Sequence, residues 1–129
     1  SFNDFFLKVG LIKPNDPNRK RVEYKDSKKV ISSSLKKLNS ITKGYETVVL
    51  VIPSRALWIG TNSQIQLAKK IHTEFIKGLG ENNFQFVDMY QFFKNNDPGS
   101  FYFKRDGHWN DKGHSYAATE LFHFINREN

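Results

Sequence analysis

An α/β fold built on a parallel sheet with crossover helices is what this sequence predicts, and three observations carry the prediction. Residues 47 to 52 form a continuous, largely β-branched run, which suits a strand buried on both faces. Phe84 to Met89 reads as a second strand. Around and between them, apolar residues recur with helical spacing. Helices of this length between buried strands give βαβ units, and such units make the sheet parallel.

The elements follow in order. Residues 1 to 12 are apolar (Phe2, Phe5, Phe6, Leu7, Val9, Leu11, Ile12) and read as leaving a strand end for a Pro-rich basic loop at 13 to 25. Asp26 or Ser27 can cap a helix whose apolar positions are Ile31, Leu35, Leu38 and Ile41, with Gly44 as its stop. After the first strand, Asn62 or Ser63 opens a second helix, striped by Ile65, Ala68, Ile71, Phe75, Ile76 and Leu79 and ended by the glycines at 78 and 80. Tyr90 to Lys94 reads as one helical turn, and Asp97-Pro98-Gly99 as a chain turn. The last helix, capped near Asn110 or Asp111, places His114, Ala117, Ala118, Leu121, Phe122 and Ile125 on one apolar face. On that pattern His114 is a packing histidine at the core or its edge, and His72, on the stripe of the second helix, is another. His123 lies off the final apolar face.

Composition sets the outer bounds. The 129 residues are 38% hydrophobic and include 12 Phe, enough for one globular domain with a core rather than a disordered tail. With no Cys, disulfides and a cysteine nucleophile are excluded. No apolar run approaches the roughly 20 residues that span a bilayer. Part of the net charge of +7 is gathered in Lys13, Arg19, Lys20, Arg21, Lys25, Lys28 and Lys29, partly balanced by Asp16, Glu23 and Asp26. That cluster reads as a solvated loop. The rival reading is a non-catalytic basic module that holds an anionic glycan, a membrane surface or nucleic acid, with Trp58 and Trp109 as stacking platforms. No nucleic-acid motif accompanies the charge, which argues against that partner.

Chemistry concentrates at Arg105-Asp106-Gly107-His108-Trp109-Asn110-Asp111-Lys112-Gly113-His114. Asp106 and His108 stand two apart, so a loop or extended backbone aims both side chains to the same side. A neutral His removes a proton best when a carboxylate holds its other ring nitrogen, fixing the tautomer and stabilising the imidazolium. Asp106 and His108 suit the roles of orienter and base. As a metal site, Asp106, His108 and His114 supply allowed ligand types, but their spacing matches no zinc or iron pattern. The expectation is therefore no metal and no cofactor.

At these residues the chain resembles the SGNH hydrolases, the GDSL-type serine esterases and acyl-transfer enzymes. Their last motif sets an Asp and a His shortly before a C-terminal helix, and Asp106-Gly107-His108 with Trp109-Asn110-x-x-Gly113-His114 looks like its D-x-H form. Phe2-Asn3-Asp4 is similar to the G-x-N-D motif whose Asn helps form the oxyanion hole, and Val48 to Ser54 looks like the family's fourth strand. The resemblance implies a three-layer, flavodoxin-like α/β fold and a serine esterase or O-acyltransferase acting on a small-molecule or carbohydrate ester, such as an acetylated sugar. It implies His108 as the base, Asp106 as its orienter and Asn3 as an oxyanion donor. It also points to an extracytoplasmic setting, periplasm or cell surface.

The family's nucleophile is the Ser of a Gly-Asp-Ser motif, and that tripeptide does not occur here. Ser54 is the best internal substitute, because loops at the carboxyl ends of parallel strands gather functional groups. Pro53 and Arg55 around it give no strained nucleophile elbow. The expectation is that residues 1 to 129 are the C-terminal part of a longer domain, whose N-terminal strands bring the Gly-Asp-Ser. Two strands alone make a thin sheet, which argues independently for missing strands or for pairing with another chain.

Overall fold

The computed structural model describes residues 24–127. Segment 1–23, with Asn3 and the apolar stretch expected to leave a strand, lies outside the described residues. The order is α1 (Tyr24–Ile41), β1 (Val48–Val51), a 3-10 turn (Arg55–Leu57), α2 (Asn62–Glu81), β2 (Gln85–Asp88), α3 (Tyr90–Asn95), a second 3-10 turn (Pro98–Phe101) and α4 (Asp111–Arg127). The two strands pair in parallel, with Val48 opposite Gln85 and Val51 opposite Asp88. Both strands therefore end at the same edge, and the loops after Val51 and Asp88 emerge side by side.

Why β1 reads as a continuous apolar run is visible in its packing. Val49 and Val51 join one cluster with Ile31, Leu35, Ile71 and Leu79 from α1 and α2. Val48, Leu50 and Ile52 pack against another, formed by Val87, Met89, Phe93, Phe101, Tyr102 and Ala117. Alternation along a strand sends successive side chains to opposite faces, so a strand with apolar neighbours on both has no polar position to offer.

The helices start and stop for local reasons. The second helix, α2, opens at Asn62 as expected, and its cap is Thr61: the Thr61 hydroxyl accepts the Gln64 N–H while the Gln64 side chain accepts the Thr61 N–H, a reciprocal capping box. Asp26 and Ser27 lie inside α1 rather than at its cap, and Ser27 is buried. Gly44 carries the positive φ of +89° in the turn that follows α1, as its place in the sequence suggests. The glycines at 78 and 80 do not end α2, which continues to Glu81. At Gly78 a Cβ would stand 2.6 Å from Leu35 Cδ1, so that position lets α1 press closely on α2.

The last helix buries only part of the expected face, keeping Ala117 and Leu121 and adding Gly113. Gly113 and Ala117 are buried and Leu121 and Phe124 half-buried, whereas His114, Ala118, Phe122 and Ile125 are exposed. Close approach selects the small residues for the contact: a Cβ on Gly113 would lie 2.9 Å from the Phe101 carbonyl oxygen. Among the described residues no helix is long and apolar enough to cross a membrane.

Candidate active site

The D-x-H segment sits on a closed loop. Tyr102 and Trp109 form an antiparallel bridge, and the Phe103 N–H donates to the His108 carbonyl at 3.0 Å. Between them residues 103–108 are all exposed. Asn110 latches this loop to α4. Its amide nitrogen donates to the carbonyls of Ser100 (2.9 Å) and Tyr102 (3.2 Å), and its side-chain oxygen accepts the Gly113 N–H at 3.2 Å. Asn110 is thus the N-cap of the helix, and the loop and the helix start as one unit.

Within the loop the structure brings Asp106 and His108 together. The Asp106 carboxylate accepts the backbone N–H of His108 at 3.0 Å and also contacts the imidazole Nδ1. Nδ1 is engaged, so Nε2 is the nitrogen left for a substrate. Both side chains are more than half exposed, at 54% for Asp106 and 58% for His108, so the pair is neither splayed apart nor sealed under aromatic rings. The backbone N–H of His108 first, then its side chain, holds the Asp106 carboxyl below the ordinary value of 3.8. A carboxylate lowered in this way keeps its stabilising contacts above the ordinary value and loses them as pH falls through the lowered one. Carbon-detected NMR titration of Asp106 is therefore expected to find an inflection below 3.8, and His108→Ala to keep part of the depression, because alanine retains the backbone N–H that is its first cause. A full return to the ordinary value in that variant would show the imidazole alone to be responsible.

The loop is anchored to the end of β1 at two points. The Tyr102 hydroxyl, buried and therefore raised well above the usual tyrosine range, donates to the Pro53 carbonyl at 2.7 Å. An Arg55 Nη2 donates to the Lys104 carbonyl at 3.1 Å. Beneath them lies a set of packed rings. Phe93 stacks on Phe101 at 4.2 Å and meets Tyr102 edge-on, and Trp58 stacks on Tyr90 at 5.6 Å. Trp58 and Trp109 are half-buried against this cluster rather than displayed as stacking platforms.

Ser54 caps the 3-10 turn that follows β1, its oxygen accepting the Ala56 N–H at 3.3 Å. No hydrogen bond joins it to His108 among the described residues. His114, expected at the core or its edge, is exposed and stacks on the half-buried Trp109 at 4.3 Å. Its position one turn into α4 sets it over the indole, because the buried stripe runs through Gly113 and Ala117 instead. Asp106, His108 and His114 do not gather into a metal-holding group, and the described residues contain no cluster of three or more such side chains.

One constellation escapes sequence reasoning. His72 of α2 pairs through Nε2 with Asp88 Oδ2 at 3.0 Å, and Asp88 Oδ1 accepts the Tyr90 N–H at 3.0 Å. The pair lines a cavity of about 300 Å³ with Leu57, Lys69, Thr73, Ile76, Tyr90 and Gln91. A carboxylate that ends a strand and starts the next helix, tied to a histidine 16 residues earlier, braces α2 on the β2–α3 corner. The signal available in the sequence was Asp88 directly before a helical turn.

Comparison with known proteins bears on the whole of this arrangement. No curated protein matches the chain, and no solved structure matches it either. A family model does: that of the SGNH hydrolase-like domain of the acetyltransferase AlgX aligns with residues 11–129. With the loop, its latch and the parallel strands all inside the matched span, the chain belongs to this SGNH hydrolase-like acetyltransferase family.

Proposed function

We propose that this chain carries the proton-transfer half of an SGNH-type acyl-transfer site, with His108 as general base and Asp106 as its orienter. The observation that carries the reading is the contact of Asp106 with the Nδ1 side of an exposed His108, which leaves Nε2 open. Family membership supports an esterase or acyltransferase type of chemistry.

The roles follow. A serine hydroxyl from outside residues 1–129 attacks an ester carbonyl while His108 Nε2 takes its proton, and Asp106 stabilises the imidazolium that results. The proton then passes to the departing alkoxide as the carbon–oxygen bond breaks, leaving an acyl-serine. Water or a sugar hydroxyl, giving up its proton to His108, takes the acyl group and restores the serine. Asn3 is the proposed oxyanion donor, a contribution of roughly 2.7 to 4 kcal/mol for one well-placed group. We place this site at the carboxyl edge of a three-layer α/β domain whose remaining strands lie beyond these residues, and assign the domain an acetylated carbohydrate or similar small ester in an extracytoplasmic setting.

The experiment is direct. The intact protein, incubated with a chromogenic acetyl ester and quenched in acid, is expected to release the chromophore and to carry one added acetyl group on a serine by peptide mass spectrometry. Absence of both turnover and acylated serine would remove acyl transfer from this chain.

A further inference from the structure

We infer that Arg55 is a positioning residue for the Asp106–His108 pair: its guanidinium clamps the exposed loop that carries them to the exit of β1. The inference rests on the acyl-transfer reading for its catalytic consequence and on geometry for the clamp itself.

The bonds inside the loop fix its shape but not its place. The Phe103–His108 and Asp106–Phe103 backbone bonds and the Asp106–His108 contacts all lie within residues 103–108. Their location relative to the sheet is set from outside. Tyr102 ties the base of the loop to the Pro53 carbonyl, and Arg55 reaches further out, to the carbonyl of Lys104, two residues before Asp106. Without Arg55 the outer half of the loop keeps no bond to the strand end among the described residues.

Arg55 is itself held rigidly. It opens the 3-10 turn capped by Ser54, and Leu57, two residues on, is 1% exposed. Its Nε is buried without a hydrogen-bond partner, and no carboxylate pairs with its charge among the described residues. Leaving a buried donor unmet costs stability. A surface ion pair, the ordinary role for an arginine after a strand, is therefore not what keeps it there; the bond to the Lys104 carbonyl is its tie to the rest of the site. A planar guanidinium on a packed stem fixes direction better than an ammonium on a flexible one. Misplacing a base by about 1 Å can cost on the order of 100-fold in rate, so a loop clamp has catalytic weight.

The test uses the intact protein with Arg55→Met, which keeps the stem and removes the donors, together with Arg55→Lys and Lys104→Ala. Hydrogen exchange read by mass spectrometry is expected to quicken in peptides covering 103–108 of Arg55→Met, with kcat for an acetyl ester down about 10- to 100-fold at nearly unchanged KM. Lys104→Ala, whose carbonyl is intact, should match wild type in both. Arg55→Lys should show a smaller change of the same kind, and it carries the test if the methionine variant melts early. Wild-type exchange over 103–108 in the arginine variants overturns the clamp. Faster exchange with wild-type kcat overturns the positioning role. If instead His108→Ala keeps full activity, the acyl-transfer reading fails while the exchange result still decides the clamp.

Discussion

Replacing His108 by alanine in the intact protein is expected to lower kcat for an acetyl ester by about 10³-fold or more, with KM within a factor of two or so of wild type. General acid–base catalysis by a placed side chain contributes typically 10² to 10⁴, and in the proposed mechanism one imidazole both takes the serine proton and returns it to the leaving group. The two uses are sequential, so neither half-reaction escapes the loss. KM stays because Nε2 meets a proton in flight rather than a group bound in the ground state. Stability should move by no more than about 0.5 kcal/mol, since the side chain is 58% exposed and rests on a loop. That separation distinguishes a chemical role from a structural one. Asp106→Asn makes the complementary case. An amide oxygen still accepts the His108 N–H and preserves the turn, but it cannot stabilise an imidazolium as a carboxylate does. The asparagine variant should therefore fall between wild type and His108→Ala in kcat while keeping the loop's exchange protection. Equal activity in wild type and His108→Ala would end the proposal.

The extent to which the chain announced this arrangement differs by feature. The first strand was legible because a strand with apolar partners on each face leaves a run with no polar interruption, as at Val48–Val51, whereas β2 is bounded by Gln85 and Asp88 and shows no such run. The Asp106–His108 pair was legible because its geometry is local: two positions apart in a loop, the carboxylate reaches both the backbone N–H and the ring of His108. The buried face of α4 was legible only in part. A period count weights large apolar residues: it found Ala117 and Leu121, but it also took in Phe122 and Ile125, which are exposed, and left out Gly113, which is buried. Where a helix start abuts another segment's backbone, size decides and hydrophobicity does not. Arg55 and Lys104 lie 49 residues apart, and His72 and Asp88 16 apart, so no local pattern could pair them. Those contacts exist only once the parallel pairing has brought the two strand exits together.

The largest loss of stability is expected from Phe101→Ala, at about 3 to 5 kcal/mol. Phe101 is fully buried, stacks on Phe93 with an interplanar angle of 8° and meets Tyr116 edge-on, while Lys112 lies over its ring at 4.5 Å. Alanine removes the ring and leaves a cavity between two rigid neighbours, Phe93 on α3 and the start of α4, neither of which can close on it without shifting the latch at Asn110. A domain of this size has roughly 5 to 15 kcal/mol in all, so the midpoint of urea unfolding should fall by a large fraction at unchanged m. The backbone of residue 101 is unaffected by the change, and its carbonyl can still accept the Asn110 N–H that is now 2.8 Å away. Loss of stability should accordingly exceed loss of loop order: at low temperature, where the variant is folded, exchange over 103–108 should stay near wild type. The opposite pattern, a stable variant with a loosened loop, would mean that the ring supports the Asp106–His108 loop directly and that the Asn110 latch does not.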